Sequence, residues 1–171
     1  MVENIQIVSE SGAEPITTSE AKSYLQIDFS DDDTLIDQLI KEARQFIEEY
    51  CRISLTVKSV RMDISGLVEN DLHYYPITKS TIAMTDSSAG VITPTILGGG
   101  TSGKYYISFT GSDTETYSIA YNTTAYTGRD LKTACMLLIK SMYNNGTIEP
   151  EDVEGDTYKD AVRLLNPYRL L

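Results

Sequence analysis

The spacing of apolar and polar positions changes character twice along this chain. Between Ser30 and Arg52, Leu35, Ile36, Leu39, Ile40, Ala43, Phe46, Ile47, Tyr50 and Cys51 recur at intervals of three and four, which is one face of a helix. Asp37, Lys41, Arg44, Gln45, Glu48 and Glu49 fall mostly on the other side. Ser30 is the expected N-cap, its hydroxyl accepting from the Asp33 backbone N–H. Asp31, Asp32 and Asp33 then occupy the first turn, where the helix dipole favours negative charge. So strong a stripe needs a surface to pack on, and the other helical segments are the expected partners.

Upstream, residues 1–15 are polar apart from Ile5 to Val8 and read as an N-terminal arm or a strand. Thr17 and Glu20 have capping-box spacing and open a short helix with Ala21, Tyr24 and Leu25 on its apolar side. A short capped helix running into a long one predicts an αα-hairpin.

After Arg52 the period switches to two. Ile53 to Ile64 alternates apolar and polar residues, a half-buried strand. Further strands are predicted at 72–77, 80–85, 90–97, 104–110 and 116–122, separated by turns rich in Gly, Ser and Asp. Helical spacing returns at Thr127. Leu131, Ala134, Cys135, Leu138, Ile139 and Met142 form the apolar face, and Asn145-Gly146 is the stop. A last helix is predicted over 157–165, ended by Asn166-Pro167. The expected class is α+β: a helical bundle core formed by the N- and C-terminal helices, with an inserted small antiparallel β-domain. The expected divisions are an arm (1–15), the helical core (16–53 and 127–166), the β-insert (54–126) and a tail (167–171).

Composition narrows the function. A net charge of −11 is concentrated in residues 1–53, which hold 12 acids and 4 bases. No basic face of the kind that grips nucleic acid is visible. No apolar run approaches the roughly 20 residues of a membrane helix, and the N-terminus lacks the pattern of a signal peptide. Cys51 and Cys135 lie on apolar helical faces and read as buried free thiols, with no feature requiring a disulfide.

Catalytic patterns are absent. The single histidine, His73, sits in a predicted strand and reads as structural, and no Ser/His/Asp or Cys/His set is apparent. Gly98-Gly99-Gly100 resembles a phosphate loop only in composition and reads as a hairpin turn. Asp28 to Asp33 alternates oxygen ligands, but Asp33 stands where a calcium loop needs glycine, so helix capping is the better account. No metal and no cofactor is expected. The 12 tyrosines include Tyr74, Tyr75, Tyr105, Tyr106, Tyr117, Tyr121 and Tyr126 in or beside the β-segment. They suit sheet packing or a protein interface, with a tyrosine-rich carbohydrate- or ligand-binding module as the alternative.

The motifs taken together resemble a family. Ile16-Thr17-Thr18-Ser19-Glu20-Ala21-Lys22-Ser23-Tyr24-Leu25-Gln26-Ile27-Asp28, the Asp31-Asp32-Asp33 cluster, Ala43-Arg44 to Ile47-Glu48-Glu49-Tyr50-Cys51, Tyr117 to Tyr121 and Leu164-Leu165-Asn166-Pro167-Tyr168-Arg169 are similar, in order, to head–tail connector proteins of tailed bacteriophages, also called adaptor or head-completion proteins. The resemblance covers about residues 16–169. One departure is Asn122-Thr123-Thr124-Ala125, where the family often has a glycine.

The resemblance implies a structural virion protein and not an enzyme. It implies a homo-oligomeric ring, typically twelvefold, beneath the portal at the head–tail interface, assembled in the bacterial host cytoplasm. Such a ring bridges the portal protein to a tail-proximal connector or tail protein, and packaged DNA passes without specific binding. On that reading Tyr168, Arg169, Leu170 and Leu171 are candidates for portal contact, with packing under the core as the plainer role. Asp31, Asp32, Asp33, Asp37, Glu149, Glu151, Asp152 and Glu154 are candidates for an acidic channel lining that repels phosphates. Helix capping already accounts for the first three.

Overall fold

The computed structural model describes residues 2–65, 70–100, 103–112, 114–147 and 155–169. The element order is β1 (Val2–Ser11), α1 (Thr18–Leu25), α2 (Asp33–Cys51), β2 (Val57–Ser65), β3 (Asn70–Asp71), a 3-10 turn (Lys79–Thr81), β4 (Ala83–Asp86), β5 (Val91–Ile92), β6 (Thr95–Gly99), β7 (Lys104–Ser108), β8 (Thr116–Asn122), α3 (Arg129–Asn145) and α4 (Asp156–Arg169). The chain divides into a β unit, residues 1–12 and 56–126, and a helical unit, residues 13–55 and 127–171.

The class α+β holds, but the architecture expected within it is corrected. The β unit is not a small insert in a helical bundle built from both chain ends, because the chain starts in the sheet. β1 pairs antiparallel with β2 along most of its length. The β unit carries a five-stranded sheet of order β1-β2-β8-β4-β5 and a three-stranded sheet of order β3-β7-β6.

Alternation along β2 sets the register of the larger sheet. Val60, Met62 and Ile64 are buried while Val57 and Arg61 are exposed. Pairing aligns Ile5, Met62, Ile119, Met84 and Ile92 as one apolar row across all five strands. The three central residues of that row are fully buried, and the two isoleucines at its ends are half-buried. Lys58 lies on the same face, 1% exposed, and its Nζ donates to Glu10 Oε1 at 2.8 Å.

Of the predicted strands, one is absent and one is split in two. Residues 72–77 form a kinked segment with a cis Tyr75-Pro76 bond and Tyr74 at φ 60°. Leu72 and Tyr75 are nonetheless core residues, so the apolar pattern reported burial and not extension. The stretch 90–97 is broken into β5 and β6 at Thr93-Pro94, since proline cannot donate to a ladder. The glycine run behaves as expected: β6 and β7 form a hairpin with Gly98 opposite Tyr105 and Gly99 opposite Lys104.

In the helical unit α1 closes the predicted capping box. The Thr17 hydroxyl accepts from the Glu20 N–H, and the Glu20 carboxylate accepts from the Thr17 N–H at 2.8 Å. α2 begins at Asp33, and Ser30 contributes its carbonyl to the Asp33 N–H, not its hydroxyl. All six predicted apolar positions of α3 are buried, and Gly146 ends the helix in the left-handed conformation at φ 64°. α4 runs through Pro167 to Arg169 instead of stopping at Asn166. The proline sits in the last turn, where its missing N–H leaves a carbonyl of the preceding turn without its helical donor.

Candidate functional site

The acidic residues at the head of α2 are drawn into the hydrogen bonding of their own unit. Gln26, left-handed at φ 62°, ends α1 and turns the chain toward α2. Lys22 Nζ then reaches Asp33 Oδ1 at 2.5 Å, and Thr18 Oγ1 donates to Asp37 Oδ1. Tyr143 on α3 donates its phenol to Asp32 Oδ2 at 2.5 Å. That bond, more than burial, holds the Tyr143 phenol above its usual range. Asp32 and Asp33 are half-buried, while Asp31 and Asp37 are exposed. Tyr24, Phe29 and Leu35 are each about two-fifths to one-half exposed. Glu149, Glu151, Asp152 and Glu154 lie outside the described residues.

The segment expected as a tail begins inside α4. Arg169 stacks over the Tyr50 ring at 5.0 Å, Tyr50 donates to Asn166 Oδ1 at 3.1 Å, and the half-buried Tyr168 approaches Asp130 on α3 at 3.5 Å. The guanidinium of Arg169 is exposed and combines a cation with an aromatic neighbour. Leu170 and Leu171 lie outside the described residues.

The tyrosines do not form an open platform. Tyr75, Tyr117 and Tyr121 are buried, at 1–2% exposure. Tyr121 donates to the His73 carbonyl at 3.0 Å, and burial pushes its phenol well above the usual range. Phe109 packs edge-on against Tyr117 at 4.7 Å. Tyr106 stays exposed, with Lys104 over its ring at 5.5 Å. A stack of coplanar exposed rings around Tyr74, Tyr105 and Tyr121, which a sugar site would use, is therefore not built. Among the described residues no group of three His, Cys, Asp or Glu side chains could hold a metal ion, and no helix is long and apolar enough to cross a membrane.

The periodicity of α2 misplaced two charged residues. Arg44 and Glu48, expected on the polar side, are 4% and 2% exposed. Arg44 Nη1 donates to Glu48 Oε2 at 2.7 Å and Arg44 Nε to Glu14 Oε2 at 2.8 Å. The other oxygen of Glu48 accepts from the Leu55 N–H at 2.7 Å. The carboxylate thus satisfies backbone where the chain leaves α2. The only sequence signal was the four-residue spacing of opposite charges flanking an apolar stripe.

The family model for head completion proteins matches residues 14–159. No curated protein matches the sequence. In fold the chain is similar to a chain of the virion of a native gene transfer agent particle, at TM-score 0.71 and 13% identity, covering 96% of this chain and 94% of that one. It is similar as well to a chain of the neck of an empty gene transfer agent particle computed with C6 symmetry, at TM-score 0.71 and 13% identity, covering 98% and 95%. The chain belongs to the head completion protein family, whose members are structural proteins of the phage virion.

Proposed function

We propose that this protein is a head–tail connector that forms a ring under the portal, bridges the portal to the tail-side protein and surrounds the path of the DNA. The observation that carries the reading is the family match over residues 14–159. Its fold likeness to a chain from a neck computed with C6 symmetry supports a ring, and twelve copies is a count compatible with that symmetry. The C-terminal segment Tyr168, Arg169, Leu170 and Leu171 is the proposed portal contact, since an aromatic and Arg pair is common interface chemistry. The exposed Asp31 and Asp37, with Asp32, Glu149, Glu151, Asp152 and Glu154, form the proposed channel-facing set. Carboxylates there repel the phosphate backbone, so the genome slides without sticking.

The test is mass by light scattering, with negative-stain microscopy, on the purified chain alone and mixed with portal rings encoded by the same genome. Closed rings, alone or on the portal, are the expected result. A chain that stays monomeric both alone and with portal rings overturns the reading.

A further inference from the structure

The β unit ends in two different strand edges, one long and one short and interrupted. β1 pairs only with β2 among the described residues. Residues 4 and 6–11 of β1 are exposed, including Ile7 at 42% and Val8 at 61%. At the other limit β5 and β6 follow one another with only Thr93-Pro94 between them. β5 is the last strand of the larger sheet and β6 the last of the smaller one. Exposure alternates regularly from residue 91 to residue 97. Val91, Thr93, Thr95 and Leu97 are exposed, Val91 at 84%, while Ile92, Pro94 and Ile96 are half-buried. Neither edge carries a lysine or arginine.

Open edges normally carry blocking devices: inward charge, lysines, proline or a very short strand. The 91–99 run carries two of these, Pro94 and the two-residue β5, while β1 is ten residues long with two register irregularities, of which the one beside Ile7 leaves Val8 exposed. Its backbone donors and acceptors on the outer side call for another extended strand. A ring needs two unlike surfaces of the protomer that meet head to tail, and these edges are two unlike surfaces of that kind.

We propose that neighbouring copies of this chain join edge to edge, β1 of one against the 91–99 run of the next. The proposal rests on the ring reading above and names the joint within it. β1 and β5 run in the same direction, because four antiparallel pairings separate them. A rotationally related copy therefore presents β1 parallel to β5. The apolar row ending at Ile92 continues at Ile5 of the next copy. On the opposite face the row Asn4, Asp63, Ser118, Thr85, Val91 continues from Val91 to the next Asn4. Both half-buried isoleucines become covered.

Cysteine pairing tests the joint directly, because native Cys51 and Cys135 are buried and do not compete. Chains carrying Asn4→Cys are mixed with chains carrying Val91→Cys under mild oxidation, at concentrations where the wild type assembles. The expected result is disulfide-linked dimers in the mixture and none with either variant alone. Val8→Lys and Val91→Lys, at exposed positions, should each lower the assembled fraction about tenfold while leaving circular dichroism unchanged. Cross-linking of Asn4→Cys with itself would mean that like edges meet, and would overturn the proposal. So would an absence of cross-links in the mixture, or full assembly of both lysine variants. A wild type that assembles without the mixed cross-link sinks the joint alone, whereas a wild type that never assembles sinks the ring reading and the joint with it.

Discussion

Arg44 and Glu48 stand one turn apart on α2, and their side chains meet at 2.7 Å almost entirely out of solvent. The pair holds the helical unit together at a point where the backbone of Leu55 also needs an acceptor. Removing the guanidinium deprives Glu48 and Glu14 of a shared counter-charge in a poorly hydrated place. Arg44→Ala is expected to cost about 3 kcal/mol, read as a lower urea midpoint at unchanged slope. Arg44→Met with Glu48→Gln keeps the acceptor for Leu55 and should recover part of that loss. Equal losses in the single and double variants would show that the charge pairing is not what matters.

The capping box of α1 gives an acid-side dependence. Hydrogen bonds from the Thr17 backbone and hydroxyl, with the charge of Lys132, hold Glu20 below its ordinary 4.5. A depressed carboxylate contributes stability that is present above the unfolded value and fades as pH falls through the folded one. The contribution is therefore lost below about pH 4.5. Thr17→Ala should move the Glu20 titration, followed by NMR, back toward its ordinary value and cost the helix about 1 kcal/mol. A Glu20 midpoint that does not respond to Thr17→Ala would contradict the reciprocal bonding.

Both thiols should be silent in the folded protein. Burial pushes Cys51 and Cys135 from 9.0 up to about 12, and Cys51 donates to the Leu165 carbonyl at 3.6 Å. Ellman's reagent at pH 8 is expected to label neither cysteine until denaturant is added, then both. Above about pH 9 the unfolded chain gains thiolates that the fold resists, so stability should decline from there toward pH 12. Rapid native labelling of Cys135 would show that the α3 interface opens readily.

Tyr121 tests the polar stitching of the β unit. Tyr121→Phe removes one buried hydrogen bond, to the His73 carbonyl, and should cost about 1 kcal/mol. A thermal melt of the variant indistinguishable from wild type would show that the hydroxyl contributes nothing to folding.

What the sequence disclosed was local. The period of α2, the buried face of α3, the Thr17–Glu20 box and the glycine hairpin each depend on residues a few positions apart. What it hid was remote or double-valued. β1 finds its partner some fifty residues away, and nothing in its short apolar patch names β2. Leu72 and Tyr75 advertise burial, but a left-handed Tyr74 and the following proline bend the backbone out of any ladder. Arg44 and Glu48 look like solvent residues until Glu14 and the Leu55 amide are brought to them. The acids at 31, 32, 33 and 37 were legible as a cluster, while their bonds to Lys22, Thr18 and Tyr143 depend on how three helices pack.

The strand order carries a consequence for synthesis. β8, the middle strand of the larger sheet, is the last of its five to leave the ribosome, and β1, the first to emerge, must wait for β2. The helices are split likewise, with α3 and α4 translated only after every strand. Neither unit is one continuous stretch of sequence, so any single fragment that holds a whole unit also carries part of the other. Each unit is therefore completed by long-range closure, the helical one only when α3 and α4 have been made, which favours slow maturation.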